Sequence, residues 1–346
     1  MRVLLVKTSS LGDVVHTFPA LTDAQRALPG ITFDWVVEEA FADIAAKHPA
    51  VNRVIPCALR RWRKSLWRTW RSGEWKNFKA TLQEQQYDLV LDAQGLVKSA
   101  FVTRLGRGEK VGLDKASARE PFSARVLDRG IFVARDQHAV ERLRQLFARA
   151  LGYAEPTTPA DAGVSRPRRD GSAARQLMFF HGTTWATKHW PERYWRALAQ
   201  LAAGEHIAVS LPWGDETERQ RAEFIAKGID GVTVLPRMSL SALFEQILQQ
   251  DAFVAVDTGL AHLACAGGLP GVVLYGPTNP GLTGAYGTDC VNLAADFSCA
   301  PCMQAHCKFA DAGEAVHPPC FAALSPELVW RTLCQRAGWS LPENSR

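Results

Sequence analysis

The segment from Asp251 to Gly287, DAFVAVDTGLAHLACAGGLPGVVLYGPTNPGLTGAYG, restricts the fold more than any other stretch of the chain. Ala252 to Val256 is a short apolar run, the pattern of a strand buried on both faces of a parallel sheet. Asp257-Thr258-Gly259 then turns the chain into a small-residue helix with one polar side chain, His262, among Leu260, Leu263, Ala264 and Cys265. A second apolar strand, Gly271 to Tyr275, runs into a loop rich in Gly and Pro. Polar residues therefore gather at the C-terminal end of a strand, the edge where open α/β sheets bind ligands. The free N–H groups of the helix starting near Thr258 suit an anion, so the segment reads as half of a site for a phosphorylated ligand.

The rest of the chain repeats the alternation. Val3–Val6, Phe33–Val37, Arg53–Pro56 and Asp88–Asp92 read as strands. Helices are expected over Val14–Leu28, near Phe41–Lys47, over Leu96–Leu105 and over His138–Leu151, where Val140, Leu143, Leu146 and Phe147 share one face. A second series has strands at Leu177–Phe180, Ile207–Leu211, Val232–Leu235, Ala252–Val256 and Val272–Tyr275. Its helices are Pro191–Leu201, Glu216–Ala226, Leu240–Leu248 and the one after Asp257. Between the two series, Gly152 to Arg175 is rich in Pro, Gly, Ala and Ser and has no apolar period. A chain of 346 residues suits two cores. The expected plan is α/β: two Rossmann-like parallel-sheet domains facing a central cleft, over 1–155 and 176–324, with a linker over 156–175. A final helix over 325–338 is opened by Ser325 as N-cap and Pro326 at the first helical position, and stopped by Gly338.

Several classes are disfavoured. Neither first strand is followed by G-x-G-x-x-G or by G-x-x-x-x-G-K-[ST], which argues against a nicotinamide dinucleotide and against a P-loop nucleotidase. No apolar run is long enough to cross a bilayer, and the opening MRVLLVKTSSLGD lacks the apolar region of a signal peptide, so a cytoplasmic protein is expected. Eight dispersed cysteines do not suggest a secreted disulfide scaffold.

Five constellations carry chemistry. Lys7 to Asp13 forms a polar turn after the first strand, and Asp13 there is either a helix-capping carboxylate or a base for a substrate hydroxyl. His181 to Trp190 occupies the same place in the second series. Thr183, Thr184 and Lys188 suit a pyrophosphate, and a Trp-anchored polar loop is the plainer reading. In the third, Asp257 either accepts from a sugar hydroxyl or caps its helix, and His262 is a ligand residue or a satisfied interior histidine. The fourth, Leu59 to Lys79, holds eight basic residues against one acid, Glu74. Trp62, Leu66 and Trp70 fall on one face of an expected helix. The segment is a contact for phosphate-rich partners, nucleic acid or an anionic lipid surface, or else a solvated helix with a Trp core stripe. The fifth, Cys299-x2-Cys302-x4-Cys307-x12-Cys320, has the look of a four-thiolate zinc or iron–sulfur loop, with reduced thiols as the alternative.

With these residues in view, the chain resembles a known family along nearly its whole length. KTSSLGDVVHTFPAL, RRWRK, DAQGLVKSA, AREPF, TKHWPE, LPWG, PRMSL, VDTGLAHLA and YGPTNPGL, in this order, look like the lipopolysaccharide heptosyltransferase I family of glycosyltransferase family 9. The resemblance implies an inverting GT-B enzyme that moves L-glycero-D-manno-heptose from ADP-heptose to a Kdo residue of Kdo2-lipid A. It implies acceptor binding by the N-terminal domain and nucleotide-sugar binding by the C-terminal one. It also implies peripheral association with the cytoplasmic face of the inner membrane, no nucleic-acid partner, no cofactor and no catalytic metal. By resemblance, Asp13 matches the general base. Thr183, Thr184, Lys188, Glu218, Met238, Asp257, Thr258, Gly259 and His262 match donor-binding positions. Ser9, Ser10, Gly12, Arg60, Arg61, Arg63, Lys64 and Arg119 match acceptor-binding positions. The cysteine loop is more like the heptosyltransferase II branch, which leaves a type II acceptor as one alternative. A non-catalytic protein binding anionic membranes or nucleic acid is the alternative of a different class.

Overall fold

The apolar runs fold as twelve strands in two sheets of six, seen in a computed structural model that describes residues 1–164, 166–167, 174–309 and 316–340. The chain divides into two units, Met1–Val164 and Ser165–Arg346. Of the linker expected over 156–175, residues 165 and 168–173 lie outside the described residues.

In the first unit the strands are β1 (Arg2–Val6), β2 (Thr32–Glu38), β3 (Val51–Cys57), β4 (Leu89–Asp92), β5 (Glu109–Leu113) and β6 (Arg129–Ile131). They pair in parallel in the order β3-β2-β1-β4-β5-β6, the doubly wound order. The second unit has β7 (Gln176–Phe180), β8 (Ala208–Leu211), β9 (Val232–Val234), β10 (Ala252–Val256), β11 (Gly271–Tyr275) and β12 (Cys290–Ala294). Their order, β12-β11-β10-β7-β8-β9, is the same winding read from the other edge. In each sheet the order reverses between the first and fourth strands, at β1/β4 and at β7/β10, so a crevice opens beyond their C-terminal ends.

Fourteen helices are formed by the described residues: α1 (Leu11–Val15), α2 (Phe18–Ala27), α3 (Ala42–Ala45), α4 (Leu59–Lys64), α5 (Leu66–Arg71), α6 (Glu74–Gln83), α7 (Val97–Leu105) and α8 (Ala139–Leu151) in the first unit. The second carries α9 (Glu192–Gly204), α10 (Glu216–Ala226), α11 (Leu240–Leu248), α12 (Gly259–Ala266), α13 (Pro280–Thr283) and α14 (Pro326–Ala337). Most follow the sequence pattern, and α14 has Ser325 accepting from the Leu328 N–H at its start and Gly338 in the left-handed region at its end.

Two expected helices are broken. The one over Val14–Leu28 divides at His16-Thr17, because Pro19 in the first turn of α2 has no N–H to extend the α1 ladder. The basic, Trp-rich segment is three short helices rather than one. Ser65 leaves helical geometry after α4, and Gly73 at φ +75° precedes α6. Trp62 and Trp70 therefore do not share a buried stripe: Trp62 is 7% exposed, packed against Trp75 and Phe78, whereas Trp70 is 75% exposed. Pro191, expected inside α9, is its N-cap residue instead.

The cores lie on the sheet faces. In the first unit α2 packs on α8, and Arg144 of α8 is buried in an ion pair with Asp23 at 2.6 Å. In the second, Phe179, Trp190, Trp195 and Leu198 meet Trp330 and Leu333 of α14. A disulfide joins Cys265 of α12 to Cys290 of β12, two cysteines outside the clustered four to which the sequence assigns no pairing. No helix among the described residues is long and apolar enough to cross a membrane.

Candidate active site

Each switch point collects the polar residues singled out in the sequence. Beyond β1, Ser10 is the N-cap residue of α1, and its N–H donates to Asp13 Oδ2 at 2.7 Å, joined by Ser10 Oγ at 3.1 Å. Lys7 Nζ sits 3.3 Å from Asp13 Oδ1. Asp13 thus caps its helix, and 41% of its side chain remains open to solvent. Burial pushes its carboxyl upward, but the Lys7 charge and the bonds from Ser10 and Lys7 outweigh this and hold it below the ordinary carboxylate range. Asp13 is accordingly a half-buried, ionised carboxylate at the strand-end edge where open α/β sheets bind ligands.

The neighbouring strand completes this half. Gln94, just past β4, accepts from the N–H groups of Thr8 and Ser9 and donates to the Ser9 carbonyl at 2.7 Å. Lys98 donates to Ser9 Oγ. Burial and the nearby Arg60 lower the Lys98 pKa, while Glu38 and Asp13 favour its charged form. Glu38 in turn is raised by burial and accepts from the Arg60 N–H at 3.2 Å. Ser9 and Gly12 are buried and Ser10 is exposed. Gln94 and Lys98 belong to the DAQGLVKSA motif, and nothing local in the sequence assigns them a role. The signal for them was topological: only the β1/β4 pairing brings them beside Ser9.

The basic residues are unequal. Arg60 is exposed with its guanidinium over the Phe41 ring. Arg61 is already paired, with Glu39 at 3.2 Å and Glu74 at 2.8 Å. Arg63, Lys64 and Arg119 are exposed.

Beyond β7 and β10 lies the corresponding cluster. Lys188 Nζ meets Asp257 Oδ2 at 2.8 Å and lies 4.8 Å from the centre of the Trp185 ring. Asp257 also accepts from Thr278 Oγ1 at 2.6 Å, and its carbonyl accepts from Thr183 Oγ1 at 2.9 Å. His262 Nε2 is 4.0 Å from Asp257 Oδ1. The helix-capping alternative for Asp257 does not hold, because Thr258 is the N-cap of α12 and Gly259 its first residue. Thr184 is exposed beside this cluster in sequence. Glu218 accepts from the Gly214 N–H at 2.8 Å and lies so close over Gly182 that a Cβ there would fall 2.2 Å from its Oε1. Met238 is half-buried in the loop between β9 and α11. No hydrogen bond or ion pair among the described residues joins Met238 or Arg119 to these clusters. Thr278, which the sequence did not single out, is the residue missed here.

Cys299, Cys302, Cys307 and Cys320 line one cavity of about 670 Å³ together with His306. Burial and the neighbouring sulfurs push the Cys320 thiol up to about 11. Among the described residues no group of three or more His, Cys, Asp or Glu is arranged to hold a metal ion, so of the two readings of this loop the four-thiolate one has no counterpart there. Residues 310–315 lie outside the described residues.

Two doubly wound parallel sheets, each with a polar cluster at its switch point, define an α/β protein of the GT-B class. The sequence model of glycosyltransferase family 9 (heptosyltransferase) matches residues 75–312, and the chain belongs to this family. It is 54% identical over 340 residues to lipopolysaccharide heptosyltransferase 1 of Pseudomonas aeruginosa, covering 95% of this chain and 96% of that one. The structure of the E. coli heptosyltransferase WaaC with ADP superposes with a TM-score of 0.81 at 48% identity, covering 86% of this chain and 94% of that one. The same enzyme with ADP-2-deoxy-2-fluoro heptose gives 0.78 at 47% identity, with the same coverage. The chain is a glycosyltransferase.

Proposed function

We propose that this chain transfers an L-glycero-D-manno-heptosyl group, with inversion, from ADP-heptose to a Kdo residue of Kdo2-lipid A. The observation that carries the reading is a polar cluster at the switch point of each unit. The first unit offers an ionised, half-buried carboxylate among hydroxyls and ammonium groups. The second offers an ammonium group, hydroxyls and a buried carboxylate at the matching strand ends. Similarity to a protein named lipopolysaccharide heptosyltransferase 1, and to an enzyme whose structures hold ADP and a fluorinated ADP-heptose, supports an ADP-heptose donor and a lipopolysaccharide acceptor.

In the proposed reaction an acceptor hydroxyl oxygen bonds to the anomeric carbon as the bond to the diphosphate breaks. ADP leaves with that electron pair, and the hydroxyl proton passes to Asp13. Thr183, Thr184 and Lys188 hold the diphosphate, and the Lys188 ammonium offsets charge on the leaving oxygen. Asp257, Thr258, Gly259, His262, Glu218 and Met238 position the donor. Ser9, Ser10, Gly12, Arg60, Arg63, Lys64 and Arg119 hold the anionic acceptor; Arg61 joins them by exchanging a glutamate for a ligand anion. Domain 1–155 takes the acceptor and domain 176–324 the nucleotide sugar. The enzyme works on the cytoplasmic face of the inner membrane without spanning it.

Mass spectrometry of lipid after incubation with ADP-heptose and Kdo2-lipid A tests the reading. A gain of one heptosyl unit supports it. An unmodified Kdo2-lipid A, with transfer only to an already heptosylated lipid, would instead establish a type II acceptor.

A further inference from the structure

The first unit exposes an unusual number of large apolar side chains on elements that pack in a row. On α5, Trp67 and Trp70 are three residues apart, hence on one helix face, and are 67% and 75% exposed. Helix α5 packs on α6 and α6 on α7. Trp75 of α6 stacks on Phe101 of α7 with ring centres 5.3 Å apart. Phe101 and Val97, one turn apart on α7, are both exposed. The short 121–126 turn packs on α7 in its turn, tied by the Val97 N–H to the Glu120 carboxylate at 2.7 Å, and presents exposed Phe122.

Charge follows the same row. Arg71 lies over the Trp67 ring at 5.2 Å and Arg125 over the Phe122 ring at 4.3 Å. Arg63, Lys64, Lys76, Lys79, Arg104 and Arg119 are exposed on the same elements or beside them. Of the acids nearby, Glu74 is engaged by Arg61 and Trp62, and Glu120 by the Val97 N–H. A polar solvent gives no reason to display tryptophans between arginines. A lipid interface does, since indole settles at the headgroup level and anionic headgroups attract the basic residues.

We propose that this row is the face by which the protein docks on an anionic bilayer, with Trp67 and Trp70 as interfacial anchors and the flanking Arg and Lys as headgroup contacts. The proposal deepens the membrane part of the function given above and rests on that reading for its purpose. Neither tryptophan belongs to the proposed catalytic or acceptor set.

The test is cosedimentation of the full chain with vesicles of phosphatidylglycerol and phosphatidylcholine, against phosphatidylcholine alone, without any sugar substrate. Wild type is expected to bind the anionic vesicles and release them as salt rises. The Trp67→Ser/Trp70→Ser variant should bind about tenfold more weakly or worse. Brominated lipids should quench wild-type tryptophan fluorescence more than that of the variant. Transfer to a soluble acceptor lacking acyl chains should be equal in both, which also shows that the variant is folded. Failure of that transfer in both proteins counts against the proposed acceptor and leaves the vesicle result standing. Three outcomes overturn the docking face: wild type ignoring anionic vesicles, the variant binding them as wild type does, or a vesicle-free self-association that the double substitution abolishes.

Discussion

The Lys188 ammonium and the Asp257 carboxylate meet at 2.8 Å, with side chains only 16% and 9% exposed. The pair joins the loop after β7 to the end of β10, so the proposed donor cluster is held together by its own ion pair. Lys188→Ala removes the charge proposed to face the diphosphate and also takes the ion-pair partner from a buried carboxylate that still accepts from Thr278. Truncating one partner of a buried pair typically costs about 3–5 kcal/mol. Reduced thermal stability is expected together with a loss of about 100-fold or more in kcat/KM for ADP-heptose. An unchanged kcat/KM would remove Lys188 from the donor site.

Gly182→Ala tests Glu218 without touching it. The new Cβ would lie 2.2 Å from Oε1 of Glu218 and 2.6 Å from its Cδ, so the carboxylate must swing aside. Because the obstacle is the tip of a flexible side chain, stability should fall by less than about 1 kcal/mol. The donor KM should rise with kcat largely kept, the signature of lost ground-state contacts. A steady-state titration of ADP-heptose distinguishes this from a kcat effect, which would place Glu218 elsewhere.

Much of this was legible in the chain. Past Arg2 in β1 and Gln176 in β7, and throughout β10, the strands are apolar, so they are legible as Val3–Val6, Leu177–Phe180 and Ala252–Val256. Strand β5 was not, because Glu109 and Lys110 interrupt its pattern, and β6 is three residues long. The residues missed at the site have a common cause. Gln94 lies 85 residues from Ser9, and Thr278 is held to Asp257 from the far side of β11. A side chain whose role arises from strand adjacency has no local signature. The Trp stripe fails for the opposite reason: the i, i+4, i+8 spacing is real, but Ser65 cuts the helix between Trp62 and Trp70 that would align it.

Acid should destabilise the fold through two buried imidazoles. His48 and His181 are 1% exposed, and burial lowers each to about 4 from an ordinary 6.5. His48 is locked as the neutral form, with Nδ1 accepting from the Ala50 N–H at 3.1 Å and Nε2 facing Thr22 Oγ1 at 3.0 Å. Between the two pKa values the unfolded chain binds protons that the native one refuses, so stability falls as pH drops from about 6.5 towards 4. Each unit of the gap is worth about 1.4 kcal/mol. Urea unfolding at several pH values should show this slope, and His48→Gln should flatten it.

Asp13 is both a helix cap and the proposed base, and the two roles can be separated. A sugar hydroxyl needs a group to take its proton as the new bond forms. In the β1 turn Asp13 is the only candidate: Lys7 is committed to an ion pair and the serines are too weakly basic. An inverting displacement places its base opposite the leaving group, which disfavours Asp257, the carboxylate paired with Lys188, the proposed diphosphate ligand. Asp13→Asn keeps an amide oxygen to accept from the Ser10 N–H, so the cap survives. Lys7 is not stranded, since its charge also acts on buried Asp92. Asp13→Ala, by contrast, loses the cap as well, at about 1 kcal/mol. Asp13→Asn should therefore melt near wild type, bind ADP-heptose normally and lose at least about 100-fold in kcat. Because the folded pKa of Asp13 is depressed, wild-type activity should fall with acid only as pH passes below the ordinary carboxylate range near 4. The Asn variant should show no such limb. A folded Asp13→Asn enzyme within about tenfold of wild-type kcat, with chemistry rate-limiting, would leave Asp13 as a cap alone.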